Sequence, residues 1–251
     1  MRVGDVVLKS DSYRADLCRQ VTNDSGIASA MLEKDLWVTY VLEKIFSDPE
    51  LSTMLRFKGG TSLSKAHHII ERFSEDVDLI LDWTRFQDLG DPYEMRSKTK
   101  QAQFNELMNT VAGTYVSGEL KGKLQSVLGD VCKVEVDGVE PLNLHVVYPR
   151  CFEDSYITPD VKLEIGPLAS WTPCERKPIS CLVGELEPQL EFEPFEVQVI
   201  KTERTFWEKI EALHHEHYRP ESKRAPKRFS RHYYDLYRMY KASVFETARK
   251  D

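Results

Sequence analysis

Two aspartates, one residue apart, are the clearest candidates for chemistry in this 251-residue chain. Asp76 and Asp78 lie in the run SEDVDLIL, whose alternating apolar residues predict a β-strand. Side chains two positions apart on a strand leave the same face, with Cα atoms roughly 6.5–7 Å apart. Both carboxylates could therefore bind a pair of divalent ions spaced about 3.5–4 Å apart. Because these ligands are hard oxygens, we expect Mg²⁺ or Mn²⁺ rather than zinc.

A glycine pair precedes the two acids in the run FKGGTSLSKA. Gly59 and Gly60 permit positive φ angles and close approach of a ligand to the backbone. Thr61 or Ser62 is predicted to cap a helix there, and the free N–H groups of a helix N-terminus suit phosphate. Taken singly, glycines usually form turns and such acids usually lie on a solvated strand face. Their combination in this order predicts a phosphate and metal site.

Residues 131–200 are predicted to contribute most of a β-sheet. Asp137-Gly138 is a strong hairpin signal between two alternating runs. Residues 171–194, rich in Pro, Cys and Glu, are predicted to form a loop with a short structured interlude. The predicted strands are Val131–Val136, Leu142–Tyr148, Asp160–Ile165 and Phe195–Ile200.

A third carboxylate on a neighbouring strand would complete a two-metal site. Glu164 is one candidate, on the strand face that also carries Lys162. Glu135 and Asp137 also lie on strand-like sequence, and spacing alone does not choose among the three. An exposed Lys–Glu strand face is the other interpretation of residues 162–164.

Helical patterns precede and follow these strands. Ser12 is predicted to cap a first helix. Ile27–Phe46 is predicted to form a second helix, in which Glu33-Lys34-Asp35 would form a solvated or salt-bridged face. Lys98–Leu128 is predicted to be helical with a break at Gly113.

A C-terminal helix is predicted with Thr202 as its N-cap and with Phe206, Ile210 and Leu213 buried. Lys209 lies on a different face of that helix, where a lysine is ordinarily solvated.

Composition limits the class of protein. The chain carries 34 basic and 41 acidic residues, a formal charge of −7, which argues against a surface that is basic throughout. Hydrophobic content of 41% is ample for a core. Five scattered cysteines do not form a disulfide framework, and no apolar run reaches membrane-spanning length. We therefore expect a cytoplasmic protein with no membrane partner.

Four segments in order resemble motifs of the AbiEii/AbiGii-type nucleotidyltransferase toxins, the family that includes the MenT toxins. GGTSLSK followed by RFSEDVDLIL resembles the first motif, and VKLEIGP resembles the second. RTFWEKIEAL and RHYYDLY resemble the third and fourth. Together they extend from Phe57 to Tyr237. The family belongs to the DNA polymerase beta-like nucleotidyltransferase superfamily.

The resemblance implies a mixed α/β fold, a polymerase beta-like core with a mixed sheet. Residues 1–200 would form this core with N-terminal helices, and residues 201–251 a C-terminal helical part that completes the nucleotide site. It favours Glu164 as the third metal-binding carboxylate beside Asp76 and Asp78, and it adds Lys209 as a catalytic residue that reaches the triphosphate. The implied nucleotide-binding residues are Gly59, Gly60, Thr61, Ser62, Lys65, Lys209 and Asp235.

The implied reaction moves a nucleoside monophosphate from an NTP to an acceptor hydroxyl and releases pyrophosphate. The resemblance implies the toxin of a toxin–antitoxin or phage-defence pair, with an antitoxin partner and, in some members, the 3′ end of tRNA as acceptor. A basic stretch between Arg219 and Arg231 is predicted to form an RNA-binding loop. Its candidate RNA-binding residues are Lys223, Arg224, Lys227 and Arg228. Two alternatives remain, an AMP-adding enzyme that modifies protein and a non-catalytic module that binds nucleotide or antitoxin.

Overall fold

A seven-stranded β-sheet is the frame of the computed structural model, which describes residues 1–220 and 229–250. The strands are β1 (Leu55–Lys58), β2 (Val77–Leu81), β3 (Lys133–Val136), β4 (Asn143–Val147), β5 (Asp160–Gly166), β6 (Cys174–Ile179) and β7 (Phe195–Ile200). Their order is β3-β4-β5-β2-β1-β7-β6. The β2–β5 and β1–β7 pairs are parallel and the other pairs antiparallel. This mixed sheet confirms the predicted α/β class.

Helices precede the sheet, interrupt it and follow it. The α-helices of the described residues are α1 (Val3–Val7), α2 (Asp11–Ser25), α3 (Ser29–Ser47), α4 (Leu51–Met54), α5 (Gly59–Lys65), α6 (Lys98–Tyr115), α7 (Lys121–Leu128), α8 (Leu182–Leu186), α9 (Thr202–His217), α10 (Arg231–Lys241) and α11 (Val244–Ala248). Shorter 3₁₀ or π segments lie at Trp83–Leu89, Val116–Leu120, Gly129–Val131 and Pro188–Leu190. None of the described helices has the combination of length and apolar character that a membrane span requires.

The main core forms around α3, which is buried along most of its length. Trp37 has no exposed surface and stacks on Tyr148, with ring centroids 5.0 Å apart and an interplanar angle of 18°. Truncating a buried tryptophan to alanine typically costs about 3–5 kcal/mol. A smaller apolar cluster joins α5 to the C-terminal helices through Leu63, Phe206 and Met239. The C-terminal helices thus pack on the segment that carries the glycine turn, and the domain boundary at residue 200 stays a prediction.

Local signals predicted the helix positions better than their ends. Ser10 rather than Ser12 caps α2, since its hydroxyl accepts the N–H of Tyr13 at 3.3 Å. α6 continues through Gly113, where an added Cβ would come within 3.1 Å of Pro141, so close packing explains this glycine. Lys201, not Thr202, is the N-cap of α9.

The predicted loop at residues 171–194 is wrong in part, because Cys174–Ile179 forms the edge strand β6. Its sequence, CERKPI, has no apolar alternation, and proline is tolerated at a sheet edge. Pairing with β7 therefore forms a strand that the sequence alone does not indicate.

The Glu33-Lys34-Asp35 run is buried, so the solvated alternative is wrong and the salt-bridged one is confirmed. Lys34 Nζ lies 3.5 Å from Glu75, and Asp35 lies 2.6 Å from Lys65 Nζ. The Glu33 carboxylate accepts the N–H groups of Cys151 and Phe152 at 2.8 and 3.2 Å. Helix α3 is therefore attached by charge to both ends of the segment between the glycine turn and Asp76.

Candidate active site

Three neighbouring strands place the predicted acids on one face of the sheet. Asp78 on β2 is in register with Glu164 on parallel β5 and with Lys58 on antiparallel β1. Asp76 precedes β2 by one residue. All four residues line a cavity of about 460 Å³, here called the first cavity. By contrast, the alternative third acids lie in or beside the outer strand β3, where Glu135 pairs with Lys133 and Asp137 with His145.

The glycine pair makes room for side chains of the site itself. Gly59 has a φ of +77°, and a Cβ there would overlap the Asp78 carboxylate. A Cβ on Gly60 would lie 2.8 Å from Arg72 Nη2 and 2.9 Å from Ser74 Oγ. Cβ atoms are essentially never found this close to other heavy atoms, so any larger residue would displace the acid or the arginine. The glycines are thus required even before a ligand is considered.

The carboxylates repel one another in this setting. Burial raises the pKa of Asp78 to about 6, and the neighbouring Glu164 adds to that shift. Burial also raises the pKa of Asp76, with Glu164 and Glu75 contributing. Glu164 Oε1 is held by Lys162 Nζ at 2.5 Å. A bound cation would relieve the repulsion between the two aspartates.

The metal prediction can be tested against these donors. Within residues 1–220 and 229–250, no three His, Cys, Asp or Glu side chains lie close enough together to hold a metal ion. The donors nevertheless fit Mg²⁺ or Mn²⁺, because Asp76 and Asp78 supply the hard oxygens that these ions prefer. The pKa values of both aspartates are raised by burial and by the charge of neighbouring acids, and a bound cation would offset both effects. Glu164 Oε1 is paired with Lys162, so Oε2 is the oxygen with which Glu164 would join them.

Cations face the acids across the first cavity. Asp235 is fully buried and accepts hydrogen bonds from Arg72 Nε and Nη2 at 2.7 and 2.8 Å. Its carboxylate also lies 2.7 Å from Lys209 Nζ. Both cations line the cavity, whereas Asp235 lies behind them. Asp235 therefore positions Arg72 and Lys209, and the nucleotide contact predicted for Asp235 stays a prediction.

Further charges complete the cavity wall. Lys58 Nζ lies 2.9 Å from Glu208, and Arg231 lies 3.9 Å from Asp76. Arg231 and Asp235 lie four residues apart on α10, and each pairs with a residue of another element.

Two polar atoms of the first cavity are buried without a hydrogen-bond partner among the described residues. They are Thr205 Oγ1 on α9 and His232 Nδ1 on α10. Burial lowers the pKa of His232, and the charges of Lys209 and Arg231 lower it further. Unpaired buried groups are rare in folded proteins and suggest that a ligand supplies the missing partners.

The predicted nucleotide-binding hydroxyls are turned inward. The Thr61 hydroxyl donates to the Asp76 carbonyl and lies 3.0 Å from Ser74 Oγ, and Ser62 donates to the Gly59 carbonyl at 2.8 Å. Helix α5 begins at Gly59, so neither residue is its N-cap. Both side chains stabilise the turn from inside.

Lys65 is also absent from the lining of the first cavity. Its ammonium pairs with Asp35 at 2.6 Å and donates to the Ser180 carbonyl at 3.2 Å. The structure thus gives Lys65 a role in packing α5 against α3, not in contacting the first cavity. The nucleotide contact predicted for Lys65 stays a prediction.

Lys209 is buried and lines the first cavity, so the ordinary expectation of a solvated lysine is wrong. The predicted apolar stripe of α9 is wrong in part, since Ile210 is 38% exposed. Arg72 and His232 were not singled out from the sequence, although they belong to the RFSEDVDLIL and RHYYDLY segments. The predicted RNA-binding residues, Lys223, Arg224, Lys227 and Arg228, lie outside the described residues.

The sequence of this chain matches a known protein family. The family model described as nucleotidyl transferase AbiEii toxin, type IV toxin–antitoxin system, matches residues 40–250. The chain therefore belongs to the AbiEii family of nucleotidyltransferase toxins, as the four motifs predicted.

Among solved structures, the chain is similar to MenT4, a nucleotidyltransferase toxin from Mycobacterium tuberculosis H37Rv. The two are 19% identical with a TM-score of 0.45, over 78% of this chain and 57% of MenT4. The chain thus spans little more than half the length of that toxin. No curated protein sequence matches it.

Proposed function

We propose that the protein transfers a nucleoside monophosphate from an NTP to an acceptor hydroxyl. The observation that carries this proposal is the first cavity, where Asp76, Asp78 and Glu164 face Lys209 and Arg72. Acids that bind a divalent ion and cations that bind phosphate are the two parts that nucleotidyl transfer requires. The unpaired Thr205 hydroxyl and His232 nitrogen support an anionic ligand in the same place.

Each side chain has a role in this proposal. Asp76 and Asp78 would hold Mg²⁺ or Mn²⁺, which would polarise the α-phosphate when bound. Lys209 and Arg72 bind the β- and γ-phosphates through charge-assisted hydrogen bonds. The acceptor oxygen forms a bond to the α-phosphorus as the bond to the β-phosphate oxygen breaks, and pyrophosphate leaves with the electron pair. Glu164 accepts the proton of the acceptor hydroxyl.

The acceptor in this proposal is RNA, with the 3′ end of tRNA as the specific candidate. Support comes from the sequence, in which residues 219–231 carry six basic residues against a single acid. The protein would act in the cytoplasm as the toxin of a toxin–antitoxin or phage-defence pair, with a cognate antitoxin as partner. Modification of a protein hydroxyl is the alternative outcome of the same experiment.

The experiment is a labelling assay with each of the four NTPs, labelled at the α-phosphate. Purified tRNA and total cell protein are offered separately, with Mg²⁺ and with a chelator. We expect label in the tRNA fraction, lost with chelator and in Asp78→Asn, but retained in the control Asp130→Asn, which changes an exposed aspartate. Transfer by Asp78→Asn at the parent rate would overturn the metal-site assignment, and label in protein alone would overturn the RNA acceptor.

A further inference from the structure

A second cavity of about 580 Å³ opens beside the first. Its walls include the half-buried side chains of Met31, Phe73, Ile157 and Tyr234, and Tyr156 lies at its rim with 80% of its surface exposed. The second cavity thus offers three aromatic rings and two aliphatic side chains. Such a composition suits a flat, largely apolar ligand.

The two cavities are adjacent and share a pair of arginines. Arg72 and Arg231 line both, and Arg231 lies 3.9 Å from the Asp76 carboxylate. Glu75, the residue before Asp76, lines the second cavity. The second cavity therefore begins next to Asp76, which would hold the ion beside the α-phosphate. A ligand with phosphates in the first cavity can place its remaining part there.

A third cavity, of about 370 Å³, shares Lys58, Asp78 and Glu164 with the first cavity. It is lined by Lys58, Asp78 and Glu164 together with Glu140 and Asn143. Leu79, Leu142 and Ile165 add apolar walls, and this mixed lining, which has no aromatic ring among the described residues, includes the carboxylate proposed to take the proton of the acceptor. The third cavity therefore suits the acceptor hydroxyl, which leaves the aromatic second cavity for the donor.

We propose that the second cavity binds the base of the NTP, with Phe73 and Tyr156 as the stacking residues. This inference rests on the proposed nucleotidyl transfer and assigns the part of the donor that the first cavity does not hold. Stacking on aromatic rings is available to every base, because each presents a π-face. Arg231 then lies at the passage from phosphate to base.

The test compares the binding of an NTP with that of inorganic tripolyphosphate, which has phosphates and no base. The variants are Tyr156→Ala, which truncates an exposed side chain, and Phe73→Leu, which keeps apolar volume but removes the ring. Each should weaken NTP binding by about 5- to 100-fold. Tripolyphosphate affinity should not change. The control Tyr13→Ala, at an exposed tyrosine of α2, should leave both affinities unchanged.

Three results would overturn the inference. NTP affinity could be unchanged in both cavity variants, or both ligands could weaken equally. RNA affinity could fall in these variants while NTP affinity holds, which would assign the second cavity to the acceptor. The parent protein could bind NTP more tightly than tripolyphosphate and yet transfer no nucleotide. That result would refute the proposed reaction but would still support a base-binding site in the second cavity.

Discussion

Replacing Asp235 by asparagine tests the central ion cluster of the site. The carboxylate of Asp235 is fully buried and binds Arg72 through two hydrogen bonds and Lys209 through a third contact, all between 2.7 and 2.8 Å. Asparagine keeps the shape but loses the charge. It also turns an NH₂ group, which donates, toward a cation that also donates.

The expected loss follows from burial. Breaking a buried ion pair by removing one partner costs about 3–5 kcal/mol. The Arg72 side chain is 20% exposed, and both cations line a cavity that water can enter, so the lower end of that range applies. For a protein of this size, about 3 kcal/mol corresponds to a fall in the unfolding midpoint of about 6–12 °C. Thermal unfolding followed by circular dichroism measures it.

Glu71→Gln is the matched control. Glu71 pairs with Arg238 at 2.8 Å, so it joins the same segment to the same helix α10, but its side chain is 77% exposed. Exposed pairs contribute little because water and salt screen them. The control should therefore leave the unfolding midpoint unchanged. An equal fall in both variants would refute the argument that burial of Asp235 sets the magnitude.

The pH dependence gives a second readout of the same cluster. Burial alone would raise the pKa of Asp235, but the hydrogen bonds and charges of Arg72 and Lys209 outweigh it and hold the pKa below the ordinary 3.8. A lowered pKa stabilises the folded state fully above the unfolded value, and this contribution is lost as pH falls through the folded value. The gap between parent and Asp235→Asn should therefore persist from neutral pH to about pH 4 and narrow only below it. A gap that closes at pH 6 would contradict this assignment.

Three further predictions concern the ligands and the hairpin. Lys209→Ala should weaken NTP binding by about 1.5–3 kcal/mol, as expected for a lost charge-assisted hydrogen bond. The control Lys241→Ala, at the exposed end of α10, should not weaken it. Equal NTP titration curves for parent and Lys209→Ala would show that Lys209 does not bind the nucleotide. For His145, burial lowers the pKa, but hydrogen bonds to Asp137 and Asp160 more than offset it and raise the pKa above 6.5, so the stability gained is present below pH 6.5 and lost as pH rises through the folded value. His145→Gln should thus destabilise the protein more at pH 5.5 than at pH 9, and an equal loss at both would contradict the shift. Alanine at four basic positions should weaken RNA binding more than NTP binding, and each lost phosphate contact should lower the salt slope by about 0.7–0.9; an unchanged slope would exclude the loop as an RNA contact. Those positions are Lys223, Arg224, Lys227 and Arg228.

Local patterns predicted the central strands well. Val77, Leu79 and Leu81 alternate with polar or aliphatic neighbours and are buried, and the Asp137-Gly138 turn joins β3 to β4 in antiparallel register. These features depend on residues close in sequence. They therefore placed Asp78 on a strand before any tertiary contact was considered, whereas Asp76 lies one residue before that strand.

Long-range partners account for what the sequence did not predict. Arg72 and Asp235 are 163 residues apart, and neither residue type indicates that the other completes its hydrogen bonds. The family resemblance implied that Lys65 binds nucleotide, and nothing in the sequence indicated its partner Asp35 on α3. A lysine near a glycine turn has the same local sequence whether its ammonium faces a ligand or a carboxylate. Only the packed structure distinguishes these two environments.

The charged residues of α3 also set a limit on how the protein can be shortened. The family match begins at residue 40, yet Lys34 and Asp35 lie before it and attach α3 to Glu75 and Lys65. A fragment cut at residue 40 would remove the ion-pair partners of Glu75 and Lys65, beside the turn and the acid that form the site. Expression boundaries for a minimal catalytic fragment should therefore be drawn from the buried ion pairs rather than from the extent of sequence similarity, and should retain the whole of α3.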